Sequence, residues 1–161
     1  MNLVYAASAV AIGGRALLIA GAPGSGKSSL ALALIDRGAG LIGDDAVKLR
    51  REGEALIAAP PPNIGGLLEV RGVGIVTLPV ARPAPVALLL DLSATPAERL
   101  PPDPLPTRVF EGVAVPVLAF DPGPAAPALR AEWALRLHGI GHEAASLASG
   151  LGPADTPQQR P

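Results

Sequence analysis

Cysteine is absent from the 161 residues. That excludes disulfides, thiolate zinc sites and cysteine nucleophiles, and it suits a reducing compartment such as the cytoplasm. Aromatic residues make up only 2% of the chain, so its core must be aliphatic. Neither sign of charge dominates: the net charge is −1. No broad basic surface for nucleic acid is therefore expected. The N-terminal residues lack the basic region and apolar block of a signal peptide. The longest apolar runs, such as Ala84 to Leu90, are too short to span a bilayer, and no membrane partner is expected. Lysine is nearly absent as well: only Lys27 and Lys48 occur.

One of these two lysines completes a phosphate-binding motif. Gly21-Ala22-Pro23-Gly24-Ser25-Gly26-Lys27-Ser28 matches the pattern G-x-x-x-x-G-K-S. The chain's own residue frequencies would produce about 0.002 such matches by chance. Its context is also right. The apolar run Ala16 to Ala20 leads in as a strand, and the helix-favouring run Ser29 to Ile35 leads out. Glycines let the backbone curl so that its N–H groups face phosphate oxygens, and the helix N-terminus adds partial positive charge. The cradle comprises Gly21 to Ser29; Lys27 can reach the β- and γ-phosphates, and Ser28 can ligate Mg²⁺. A dinucleotide-binding fingerprint is excluded because Ser29 stands where its third glycine belongs.

Local patterns predict the surrounding elements. Leu3 to Ile12 reads as one strand, Gly13-Gly14 as a turn and Arg15 to Ala20 as the next strand. The helix after the loop runs to about Arg37 and stops at Gly38. Leu41-Ile42 is a short strand delivering Asp44-Asp45, and Val47 to Arg50 pairs with Ala55 to Ala58 as a hairpin. Leu67 to Val70 and Val73 to Leu78 are extended, and Val86 to Leu90 is an apolar strand ending at Asp91. Pro96 to Pro106 is expected to be irregular and Val113 to Ala119 to be a strand. Pro127 to Leu137 has helical spacing that puts Leu129, Trp133 and Leu137 on one face, which predicts Trp133 as a packing residue. The fold expected is α/β, a mixed strand-rich sheet around one phosphate-loop helix. It forms one domain over residues 1–149, with a disordered tail over 150–161.

Three further groups of residues can carry chemistry. Asp44-Asp45 follows the strand after the phosphate-loop helix, where carboxylates can serve Mg²⁺ or accept a hydroxyl proton. Glu69 and Arg71 would share one face if both lay in a strand, and could hold Mg²⁺ and a phosphate oxygen; an exposed ion pair explains the same spacing. His138 and His142 stand at i and i+4, but Gly139 and Gly141 between them argue against a metal-binding helix.

Three blocks together resemble the catalytic domain of HPr kinase/phosphorylase, in a short form without an N-terminal domain. They are G-A-P-G-S-G-K-S-S-L-A-L at 21–32, L-I-G-D-D-A-V at 41–47 and G-L-L-E-V-R-G-V-G-I-V at 66–76. Weaker likeness extends the resemblance over roughly residues 4–137. It implies a phosphoenolpyruvate carboxykinase-like fold, a hexamer and a cytoplasmic enzyme. Such an enzyme uses ATP and Mg²⁺ to phosphorylate a serine of the phosphocarrier HPr, and reverses this with inorganic phosphate. Carried over by motif, Lys27 grips phosphate, Ser28 and Glu69 bind Mg²⁺, Asp45 is the base and Asp44 supports it. Arg99 matches an active-site arginine. Two departures accompany the likeness. Ala6 stands where the family has an active-site histidine, and Ala119 to Pro124 lacks the arginines of a segment linked to dephosphorylation. They leave open a nucleotide sensor of the same fold, or a kinase with another acceptor.

Overall fold

A computed structural model describes residues 2–96 and 99–141 of the chain. His142 and the tail 150–161 lie outside the described residues, as do Ala97 and Glu98.

Three parallel strands form the centre. They are β3 (Arg15–Ala20), β9 (Ala84–Asp91) and β11 (Val113–Ala119). Every residue of β3 is buried, so it reads as a continuous apolar run rather than an alternating one. Leu17 and Ile19 face one core and Leu18 the other. Around this centre the chain adds antiparallel strands. On one side lie β2 (Ser8–Ile12) and β4 (Gly40–Gly43). On the other lie β6 (Ala55–Ala59), β5 (Val47–Glu52) and β1 (Asn2–Tyr5). Strand β10 (Thr107–Phe110) pairs with β11.

The sheet forks at β9. Its first residues, Ala84 and Pro85, pair with β6, whereas Leu89 to Asp91 pair with β11. The two halves of one strand edge thus serve different neighbours, and the sheet curls around an aliphatic core that includes Leu18, Leu49, Leu56, Leu89 and Val115. The opposite face is covered by α1 (Lys27–Asp36) and α2 (Pro127–His138), which enclose Leu17, Ile19, Leu88 and Leu90. A separate hairpin of β7 (Leu67–Val70) and β8 (Gly74–Thr77) packs beside α1.

The strand-rich α/β expectation holds, with corrections in detail. Leu3 to Ile12 is two strands, because the chain leaves β1 at Tyr5 and turns through Ala6-Ala7 to enter a different part of the sheet as β2. Thr107–Phe110, unassigned by the sequence pattern, is a strand that zips onto β11. Strand β7 ends at Val70 and Arg71 opens the hairpin turn, so Glu69 and Arg71 do not share a strand face. The largest correction concerns α2. Its buried face is Ala128, Ala131, Ala134 and Leu135, while Trp133 is 51% and Leu137 72% exposed. Small alanines let α2 approach α1 closely, and the larger stripe turns outward. There the Arg136 guanidinium lies 5.0 Å from the Trp133 ring centroid.

Among the described residues, no helix is long and apolar enough to cross a membrane. Arg15 is buried, 7% exposed; its Nη1 donates to the Ile140 carbonyl at 3.4 Å, and its Nε has no partner among the described residues. Burial pushes its guanidinium below the usual arginine range. At the surface, the Arg37–Glu132 ion pair ties α1 to α2, and the hydrogen bond from Arg37 to Glu132 raises the arginine's pKa.

Candidate functional site

Parallel strands β3 and β9 end in register, Ala20 beside Asp91, and Ala119 of β11 lies next to the same aspartate. Ligand crevices of open α/β sheets lie at such carboxyl ends. The chain leaves β3 into the phosphate loop and re-emerges as α1 with Lys27 as its first residue. Gly26 sits at the helix N-cap with φ 100°, a conformation in which any side chain is strained. It supplies no capping side chain, so the first amide groups of α1 keep their hydrogen-bonding capacity for an anion. Gly21 is equally constrained: a Cβ there would stand 2.5 Å from Ser25 Oγ and 3.1 Å from Leu92 Cβ.

Lys27 is 90% buried and folds back over the loop. Its Nζ donates to the Gly21 carbonyl at 2.9 Å and the Ala22 carbonyl at 3.3 Å, and lies 3.7 Å from Asp45 Oδ1. Asp45, by contrast, is 64% exposed and has φ 58°. Aspartate is among the few residues that tolerate this left-handed conformation.

Asp44 occupies the middle of the site. Its Oδ1 accepts hydrogen bonds from Ser28 Oγ at 2.7 Å and Ser8 Oγ at 2.9 Å. Its Oδ2 accepts from the Glu69 backbone N–H at 3.2 Å. Ser8 in turn accepts the Asp45 N–H at 3.3 Å. One carboxylate thus ties together β2, α1 and the β7–β8 hairpin. Ser8 escaped the sequence reading, and its signal was slight: one hydroxyl opening the otherwise apolar β2, fully buried in the fold.

The predicted residues gather unevenly. Lys27, Ser28, Asp44 and Asp45 converge, and Glu69 joins them through its main chain. Arg71 is exposed at the hairpin turn. Arg99 lines a cavity of about 550 Å³ between the proline-rich segment, β11 and α2. Helix α2 ends at His138. Among the described residues, no three acidic, histidine or cysteine side chains cluster as a ready-made metal site.

Two observations bear on what the site can hold. Ser25 Oγ is buried in the loop without a hydrogen-bond partner, as a hydroxyl meant for a phosphate oxygen would be. The side-chain donors near Lys27 are hydroxyl and carboxylate oxygens, the ligand type Mg²⁺ prefers. Mg²⁺ commonly takes one or two protein oxygens and completes its shell with substrate phosphates and water, so a three-acid cluster is not required. Both observations fit a nucleotide triphosphate with Mg²⁺.

Residues 2–81 match the family described as HPr serine kinase C-terminal domain. Curated proteins show the same likeness. The HPr kinase/phosphorylase of Shouchella clausii is 46% identical over 70 residues, covering 43% of this chain and 23% of that protein. That of Chlorobium limicola is 45% identical over 74 residues, covering 45% of this chain and 22% of that protein. The matched stretch thus spans less than a quarter of these relatives. Among solved structures, the Hpr(Ser) kinase/phosphatase from Coxiella burnetii superposes with a TM-score of 0.72 at 31% identity. The match covers 84% of this chain and 95% of that one.

Proposed function

The chain belongs to the HPr kinase family, and on that premise we propose that it is a cytoplasmic, ATP-dependent kinase acting on a serine of an HPr-like phosphocarrier. The convergence of Lys27, Ser28, Asp44 and Asp45 at the carboxyl end of the central strands carries this reading. The loop amides, Ser25 and Lys27 bind the triphosphate. Lys27 offsets the negative charge that gathers on the transferring phosphoryl group. Ser28 and Glu69 would hold Mg²⁺, which when bound neutralises phosphate charge. Asp44, fixed by three hydrogen bonds, orients the Ser28 hydroxyl and the turn that presents Asp45.

Asp45 is the exposed carboxylate of the pair and is open to an incoming hydroxyl. It takes the serine proton as the serine oxygen attacks the γ-phosphorus and the bond to ADP breaks. In the reverse direction inorganic phosphate attacks the phosphoserine phosphorus, the serine O–P bond breaks, pyrophosphate forms, and the protonated acid returns its proton to the serine oxygen. Arg71, exposed at the hairpin turn, is assigned a phosphate oxygen and Arg99 the family's active-site arginine role.

The test is direct. Protein incubated with ATP, Mg²⁺ and an HPr-like carrier should yield phosphoserine detectable by mass spectrometry. Asp45→Asn should lower the rate at least about a hundredfold while ATP affinity changes less than about threefold. A carrier that stays unmodified by protein that binds ATP normally would sink the proposal.

A second reading follows from Ala6, which is exposed between β1 and β2 where the resemblance places a histidine. Without that histidine the same site can serve as a nucleotide sensor that binds ATP and transfers nothing. Gain of transfer in Ala6→His, with none in the parent protein, would favour it.

A further inference from the structure

Asp91 and Ser93 have no part in the scheme above, yet they brace the phosphate loop. Strand β9 ends at Asp91 directly beside the end of β3, and the Leu92 N–H donates to the Ala20 carbonyl at 2.8 Å. The Ser93 N–H then turns back to Asp91 Oδ1 at 3.0 Å, which fixes the serine. Ser93 Oγ accepts the Ala22 N–H at 2.7 Å. This bond holds the same Gly21-Ala22 stretch whose two carbonyls carry the Lys27 ammonium. The other carboxylate oxygen of Asp91 lies 3.7 Å from Arg108 Nη2, and Arg108 Nη1 donates to the Tyr5 hydroxyl at 2.8 Å. Asp91 is therefore oriented from both sides.

We propose that Asp91 and Ser93 are positioning residues of the phosphate loop, acting through the Ala22 N–H to set the carbonyls that hold Lys27. The inference rests on the nucleotide-binding reading and adds a second strand to the machinery. The loop is shaped by β9, the parallel neighbour of the strand it follows, as well as by its own glycines. A carboxylate at the end of this apolar strand was visible in the sequence; its connection to Lys27 was not, because it passes through a backbone amide.

MgATP affinity measured by calorimetry tests this without requiring transfer to any carrier. Ser93→Ala should weaken binding about fivefold, and Asp91→Ala by a similar factor. Because both act through one hydrogen bond, the double variant should also lose about fivefold rather than the twenty-five-fold or so of independent sites. Ser93→Thr, which keeps the hydroxyl, should stay within about twofold of wild type. Thermal midpoints and circular dichroism identify any variant whose loss is merely unfolding. Normal wild-type binding with Ser93→Ala unaffected, a multiplicative double variant, or failure of threonine to rescue would overturn the inference alone. Wild-type protein that binds no MgATP would overturn the nucleotide reading and this inference with it.

Discussion

At the scale of single residues, the site and the fold place opposite demands on charge. Asp44 has each carboxylate oxygen engaged by a neighbour, so its charge is used to hold three elements in place. Arg15 is the contrary case: among the described residues, a buried guanidinium with one carbonyl partner, an unpartnered Nε and no carboxylate in contact. A buried charge without an opposite partner costs free energy that an apolar side chain of similar length avoids. Arg15→Met should therefore unfold within about 1 kcal/mol of wild type, or be more stable. Arg15→Ala should lose about 1–3 kcal/mol, because it also removes the packed stem. Denaturant titration of the two variants distinguishes these outcomes, and a methionine variant that is the weaker of the two would contradict the account.

At the scale of elements, the two helices differ in how their sequence relates to their role. Helix α1 is legible because loop, cap and helix are one local unit, Gly21 to Asp36. Helix α2 was located correctly, but its inward face was not. Leu129, Trp133 and Leu137 form a stripe by spacing, whereas close approach to α1 selects the alanines instead. Ala131→Leu should overpack that contact and cost about 1–3 kcal/mol. Trp133→Ala, on the outer face, should cost less than about 1 kcal/mol. Thermal melts of both would show a reversed order if the helix were rotated. The same limit explains Ser8 and Ser93. Each matters through a partner 36 or 71 positions away along the chain, and no local pattern encodes such a contact. Strand β10 was missed for a related reason: it is a four-residue strand that exists by pairing with β11.

For the whole molecule, β3 and β9 separate two apolar cores and carry the site at their shared end. Ligand binding at that end should therefore stabilise the entire fold. MgATP at a hundred times its dissociation constant should add about 2.7 kcal/mol, which raises the melting temperature by about 5–10 °C for a chain of this size. Differential scanning calorimetry measures the shift, and Lys27→Ala should reduce it sharply; an equal shift in that variant would place the nucleotide elsewhere. The left-handed backbone at Asp45 has a consequence on a longer timescale. The φ itself does not require a carboxylate: glycine relieves the backbone, and asparagine tolerates it without the charge. A lineage that stopped transferring phosphate would be free to lose the acid at position 45 well before the aliphatic walls beneath it eroded. On the proposed mechanism, the residue at that position is thus a marker by which working and retired descendants of this fold can be told apart.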